Sequence, residues 1–205
     1  VVAYDAQTAL LVVDVQNDFA DPAGSLSVEG GKAIIPRLNE EIEKALAHGA
    51  HVIYTQDWHP ASTPHFAKDG GIWPVHCVAD SWGAGFHPDL VVNGPSVRKG
   101  VGGEDGYSGF SVRHPASGEQ WPTELEDMLR ARRVTRIVIG GIATDYCVLA
   151  TTHDAVRLGF EVSVLTDAIA AVNLRPEDGA NSLAEMTAVG AKLVGATPAG
   201  HIGED

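Results

Sequence analysis

The sequence predicts a single-domain, three-layer α/β/α protein with a mainly parallel central sheet. Three observations carry that expectation. Apolar strand-like runs alternate with amphipathic helical segments, the pattern of a parallel sheet covered on both faces. The first run, Thr8–Asp14 (TALLVVD), is apolar at consecutive positions, as a strand buried on both sides requires. The polar residues able to do chemistry follow strand ends: Asp14, then Asp57 and His59, then Lys99, then Gly141–Cys147. In such sheets ligands bind beyond the carboxyl ends of the strands.

The elements follow in order. Lys32–His48 carries Ile34, Ile35, Leu38, Ile42, Ala45 and Leu46 at helical spacing and closes at Gly49. His51–Gln56 (HVIYTQ) is rich in β-formers and reads as the second strand. The stretch 57–95, dense in Gly, Pro, His and Trp, is a long loop of the kind that usually carries function. Ser96–Lys99 is a short strand, and Gly100–Ser111 is loop-like. Thr123–Arg132 is helical, and Val134–Gly140 is a buried strand. Thr144–Leu158 is a helix stopped by Gly159, Phe160–Thr166 a strand, Pro176–Val189 a helix, and Ala191–Val194 a last short strand. The tail 195–205 is small and polar and is expected to be loose.

The chain has 205 residues, which suits one domain over 1–205 with a full core. Its 27 acids against 14 bases give a net charge of −13. That excludes nucleic acid and anionic membranes as expected partners, since both require a basic face. No apolar run is long enough to cross a bilayer, and the opening Val-Val-Ala-Tyr-Asp has no basic n-region, so the expected compartment is the cytoplasm. The two cysteines, Cys77 and Cys147, are too few for a disulfide framework, although one plain disulfide stays open.

Cys147 follows a buried strand and opens a helix within Gly140–Val148 (GGIATDYCV). A helix start favours a thiolate, and its unpaired N–H groups can hold an oxyanion. On position alone Cys147 reads equally as a nucleophile and as a small buried hydrophobe. No histidine adjoins it, so the proton acceptor and cation a thiol needs are sought on the same rim, in Asp14 and Lys99.

Asp57-Trp-His59, His65 and His76 bring one carboxylate and three imidazoles into one loop region. That donor set suits one divalent metal ion, with Zn, Fe and Mn all compatible. His48, His87, His114, His153 and His201 are expected to be surface groups and His51 a structural one. Cys77 is expected to point away from the metal.

Together, Asp14-Val-Gln-Asn-Asp-Phe19, Asp57-Trp-His59, His65, Trp73-Pro-Val-His76-Cys77, Lys99-Gly100, Tyr107-Ser-Gly-Phe110 and Gly141-Ile-Ala-Thr-Asp-Tyr-Cys147 resemble the nicotinamidase (pyrazinamidase) branch of the isochorismatase-like hydrolases. The resemblance runs in order from Leu10 to about Val194 and implies the isochorismatase-like fold. It also implies deamidation of nicotinamide, and of pyrazinamide, through a cysteine thioester in NAD salvage. By resemblance, Asp14 is the general base and acid, Lys99 the cation and Cys147 the nucleophile. Asp57, His59, His65 and His76 are the metal ligands. Ala143 and Cys147 supply the oxyanion hole beside a cis Ile142–Ala143 bond. Phe19, Trp73, Tyr107, Ile142 and Tyr146 bind a small aromatic amide. Tyr146 stands where many relatives have His, and the Lys99–Tyr107 segment is slightly longer than in some relatives. The chain is expected to be a monomer or small homo-oligomer. The rival readings are an amidohydrolase of a carbamoyl or ureido substrate, against which the metal set argues, and a silent metal-binding protein, against which Asp14, Lys99 and Cys147 argue.

Overall fold

The computed structural model describes residues 2–195. Six strands form one all-parallel sheet: β1 (Thr8–Val13), β2 (His51–Asp57), β3 (Ser96–Lys99), β6 (Arg136–Ile142), β7 (Glu161–Ala170) and β8 (Lys192–Val194). Their spatial order is β3-β2-β1-β6-β7-β8. The chain thus winds outward from β1 in one direction and then returns to its other side at β6. The crevice between the carboxyl ends of β1 and β6 is the switch point where such sheets bind ligands.

Alternation along β1 explains both faces. Leu10 and Val12 pack with Ile35, Leu38, Ile42 and Ala45 of α2 (Ile35–Ala47), while Ala9, Leu11 and Val13 face the opposite core. That second core takes Leu125 and Leu129 of α3 (Leu125–Ala131), Ala155 of α4 (Leu149–Arg157) and Met186 of α5 (Asp178–Ala188). Each large side chain buried this way contributes about 1.5–3 kcal/mol. α2 is entered through a 3₁₀ turn, Lys32–Ile34, and Gly49 beyond it adopts φ +73°, which glycine takes without strain.

Four features depart from the sequence expectation. The strand expected at Val134–Gly140 runs from Arg136 to Ile142. Arg133 turns at φ +57°, and the N–H groups of Thr135 and Arg136 both donate to the Gln7 carbonyl, which delays the strand. At its other end the strand runs past the expected Gly140 through Gly141 and Ile142. A Cβ at Gly140 would meet Leu38 Cδ2 at 2.7 Å, and one at Gly141 would meet the Val13 carbonyl oxygen at 2.1 Å. These glycines let β6 lie against α2 and β1. β7 also runs past the expected Thr166 to Ala170. The short helix α1 (Asn17–Ala20) and the antiparallel hairpin of β4 (Ser111–Arg113) and β5 (Gln120–Pro122) were not foreseen. The expected loose tail lies, beyond Gly195, outside the described residues.

Gly141 has φ +127°. Gly141→Ala is expected to destabilise the protein by roughly 2–5 kcal/mol, combining a disallowed conformation with overpacking against β1. The urea midpoint measures this, and an unchanged midpoint would show that β6 can shift away from β1.

Candidate active site

The rim above β1, β2, β3 and β6 gathers the polar side chains. Asp14 leaves β1 with φ +50° and is fully buried. Its Oδ1 accepts the Thr55 hydroxyl at 2.6 Å, and its Oδ2 accepts Lys99 Nζ at 2.6 Å. Lys99, also fully buried at the end of β3, reaches Asp57 Oδ1 at 3.2 Å and donates to the Gly106 carbonyl at 2.6 Å. One ammonium thus lies between two buried carboxylates. Without it their mutual repulsion in a dry site would be prohibitive.

Cys147 lies in a π-helical turn, Thr144–Val148, that feeds α4. Such turns are rare and concentrate at functional sites. Carboxylate oxygens of Asp14 and Asp57 and the Cys147 sulfur all lie within 4.8 Å of one another. Burial raises the Cys147 thiol well above its usual range, despite the nearby Lys99. The resting group is therefore a thiol, and the helix start does not by itself ionise it. Burial also raises the Asp14 carboxyl, against the pull of Lys99, which makes it a better proton acceptor. The Ile142–Ala143 peptide bond is cis.

Asp57 closes β2, clamped by Gln16, whose side chain donates to the Asp57 carbonyl at 2.8 Å and accepts the Asp57 N–H at 2.8 Å. Burial opposes ionisation of Asp57, but the Lys99 ammonium holds its carboxyl well below the usual range. His59, His65 and His76 each present a ring nitrogen within 4.8 Å of the others. His59 Nε2 and His76 Nε2 lie 3.7 and 3.8 Å from Asp57 Oδ2. His65 Nδ1 faces Asp105 Oδ1 at 2.7 Å, and His76 Nδ1 faces the Pro74 carbonyl at 2.7 Å. Both partners accept hydrogen bonds, so each ring carries its proton on Nδ1 and bares the Nε2 lone pair. Among the described residues, both nitrogens of buried His59 lack a hydrogen-bond partner. Bare imidazole nitrogens facing a carboxylate in a dry site fit a cation.

A cleft of about 400 Å³ opens over this cluster. Phe19, Trp73, Tyr107, Ile142, Ala143, Tyr146 and Cys147 line it, with Asp57, His65 and His76 at its polar end. Trp73 Nε1 donates to the Tyr107 hydroxyl at 2.8 Å and packs edge-on to Tyr146 at 4.9 Å. Burial pushes the Tyr107 phenol up to about 12, so it stays protonated at neutral pH. Ten of the candidate residues named from the sequence line this cleft, while Asp14, Lys99 and His59 are fully buried next to Asp57 and are not part of its lining. Leu26, Val28 and Val172 also line it, and no signal in the sequence separates them from ordinary core residues. Asp145 shapes the Val172 wall by accepting the N–H groups of Val172 and Asn173 at 2.9 and 2.8 Å.

Four sequence readings meet the structure here. Cys77 and Cys147 are both free, so there is no disulfide between them. Cys77 turns its sulfur toward the Gly83 carbonyl, 3.9 Å away, and its N–H donates to Asp18 at 2.7 Å. His87, expected on the surface, is buried, with Nε2 3.4 Å from Asp21 and Nδ1 accepting the Asp89 N–H. Among the described residues no helix is long and apolar enough to cross a membrane.

Fold and site together define an α/β protein with a buried thiol–carboxylate–ammonium cluster and an adjoining metal-ligand set at the sheet's switch point. The chain belongs to the isochorismatase family, whose domain profile matches residues 8–197. It is 37% identical over 203 residues to the nicotinamidase of Escherichia coli, covering 90% of this chain and 93% of that protein. The pyrazinamidase of Pyrococcus horikoshii, solved in complex with zinc, superposes with a TM-score of 0.81 at 41% identity, covering 92% of this chain and 99% of that one. PnC1 from L. infantum, solved in complex with nicotinate, gives a TM-score of 0.84 at 34% identity, covering 95% and 96%.

Proposed function

We propose that this protein is a cysteine-dependent amidohydrolase that converts nicotinamide to nicotinate and ammonia, and pyrazinamide to pyrazinoate. The observation that carries the reading is the buried Asp14 carboxylate, hydrogen-bonded to Lys99 and within 4.8 Å of the Cys147 sulfur, which lines an aromatic cleft with His65 and His76 at its polar end. The same reading makes it a cytoplasmic enzyme of NAD salvage that takes a small aromatic amide.

Phe19, Trp73, Tyr107, Ile142 and Tyr146 hold the flat ring. Asp14 takes the Cys147 proton, and the thiolate attacks the carboxamide carbon. The backbone N–H groups of Ala143 and Cys147 hold the oxyanion, each such donor being worth about 3 kcal/mol. Protonated Asp14 gives its proton to the nitrogen as the C–N bond breaks, so ammonia leaves and a thioester remains. Asp14 then takes a proton from water as the water attacks and hands it to the sulfur as the C–S bond breaks, which restores the thiol and releases the acid, whose own proton passes to ammonia or solvent to leave nicotinate. Lys99 keeps Asp14 ionised at the start of each half-reaction. Asp57, His59, His65 and His76 would hold one divalent ion, zinc, iron or manganese, which supplies a Lewis-acidic anchor for the ring nitrogen.

The metal set favours this substrate over a carbamoyl or ureido one, because a pyridine nitrogen is a ligand for such an ion and a ureido group has no counterpart to it. Chelation is expected to lower nicotinamide hydrolysis by about 10²-fold or more, with recovery when divalent metal is returned. Ammonia release before stripping, after stripping and after reconstitution measures it. Full activity in protein verified to be metal-free would overturn the role given to the histidine set.

A further inference from the structure

The Gly-rich segment after Lys99 carries a buried carboxylate, Asp105, that the reaction does not use. Asp105 is nearly buried and is held by its own backbone. Its N–H donates to the Arg113 carbonyl at 2.8 Å, and its carbonyl accepts the Arg113 N–H at 3.0 Å, an antiparallel bridge to β4. Its side chain is divided between two partners. Oδ1 faces His65 Nδ1 at 2.7 Å. Oδ2 accepts Arg113 Nη2 at 2.8 Å and Nε at 3.3 Å. Arg113 is half exposed, so the line runs from solvent through a guanidinium and a buried carboxylate to an imidazole facing the metal-ligand set.

Building on the metal reading above, we propose that Asp105, braced by Arg113, is the positioning residue for His65: it fixes the ring proton on Nδ1 and turns Nε2 toward the metal. Two observations distinguish this role from a plain loop-pinning ion pair. The backbone bridge to β4 already pins the segment without the side chain. The Arg113 fork also occupies Oδ2 alone, so among the described residues Oδ1 has His65 as its single hydrogen-bond partner. A carboxylate behind a ligating histidine fixes its tautomer and raises its basicity, and its loss typically weakens metal binding 10–100-fold. His76 has a neutral backbone carbonyl in the equivalent place, so His65 is the imidazole whose affinity depends on a charged partner.

The test uses the full chain as Asp105→Ala, Asp105→Asn and Arg113→Ala. Zinc affinity is read by competition with a chromophoric chelator, and the His65 tautomer by long-range proton–nitrogen spectra of the metal-free protein. Asp105→Ala is expected to lose the Nδ1–H tautomer and to weaken zinc binding by about 10–100-fold. Metal-free thermal melts confirm that the variant is folded. Asp105→Asn, which keeps an acceptor, is expected to fall between the two, and Arg113→Ala to weaken zinc binding less than Asp105→Ala. Asp105→Ala that keeps both tautomer and zinc affinity would overturn the proposal while leaving the metal reading intact. No zinc uptake by the unsubstituted chain would overturn both.

Discussion

Cys147→Ala is expected to reduce kcat/KM for nicotinamide by on the order of 10⁶-fold, the scale seen when a covalent nucleophile is removed from a preorganised site. The size of the effect follows from the division of labour. Asp14, Lys99 and the oxyanion donors all act on an adduct that the Cys147 sulfur must form, so removing the sulfur leaves them with nothing to stabilise. The substitution deletes one atom from the floor of an open cleft and leaves Asp57, His59, His65 and His76 untouched. Metal content and melting temperature are therefore expected to stay close to those of the unsubstituted protein. Steady-state kinetics with metal analysis on the same preparation measures this. More than about one per cent residual activity, a deficit of under 3 kcal/mol, would mean that water attacks the amide directly.

Lys99→Met is expected to remove activity and to destabilise the fold by about 3–5 kcal/mol. Lys99 is fully buried and neutralises Asp14 and Asp57, which otherwise face each other across a dry site. Methionine is similar in length and fills the space, so the loss measures charge and not volume. The double variant Asp14→Asn/Lys99→Met is expected to regain part of the stability, because one of the stranded charges is gone, and none of the activity, because the base is gone with it. Urea midpoints for the two variants test both statements. Equal stability of Lys99→Met and the unsubstituted chain would mean that the carboxylates share a proton and do not need the ammonium.

The sheet and the site differed in how legibly the sequence encoded them. β1 and β2 were readable because burial on both faces leaves unbroken apolar runs, and Thr8–Val13 and His51–Asp57 match the expected strands to within a residue. The end of β6 was not, because Gly141 carries the local signature of a loop. Only the approach of the Val13 backbone shows that it is a strand residue lacking room for a Cβ. The β4–β5 hairpin has three-residue strands, and β5 is exposed throughout, so it shows no alternation to read. At the site, Asp14, Lys99 and Cys147 were legible as strand-end polar groups, and their convergence follows from the order β3-β2-β1-β6. The acids and amides behind them were not. Gln16 clamps Asp57, Asp18 holds Cys77 and Asp105 holds His65 through contacts 41, 59 and 40 residues apart in sequence, and only the tertiary fold creates those pairs.

The most direct test of the central claim is the product balance when metal-loaded protein is incubated with nicotinamide and, separately, with a carbamoyl amine. The expected result is ammonia and nicotinate in equal amounts from nicotinamide, negligible turnover of the carbamoyl compound, and no products from either with Cys147→Ala. Turnover of the carbamoyl compound with nicotinamide untouched, or nicotinate formed at an undiminished rate by Cys147→Ala, would contradict it.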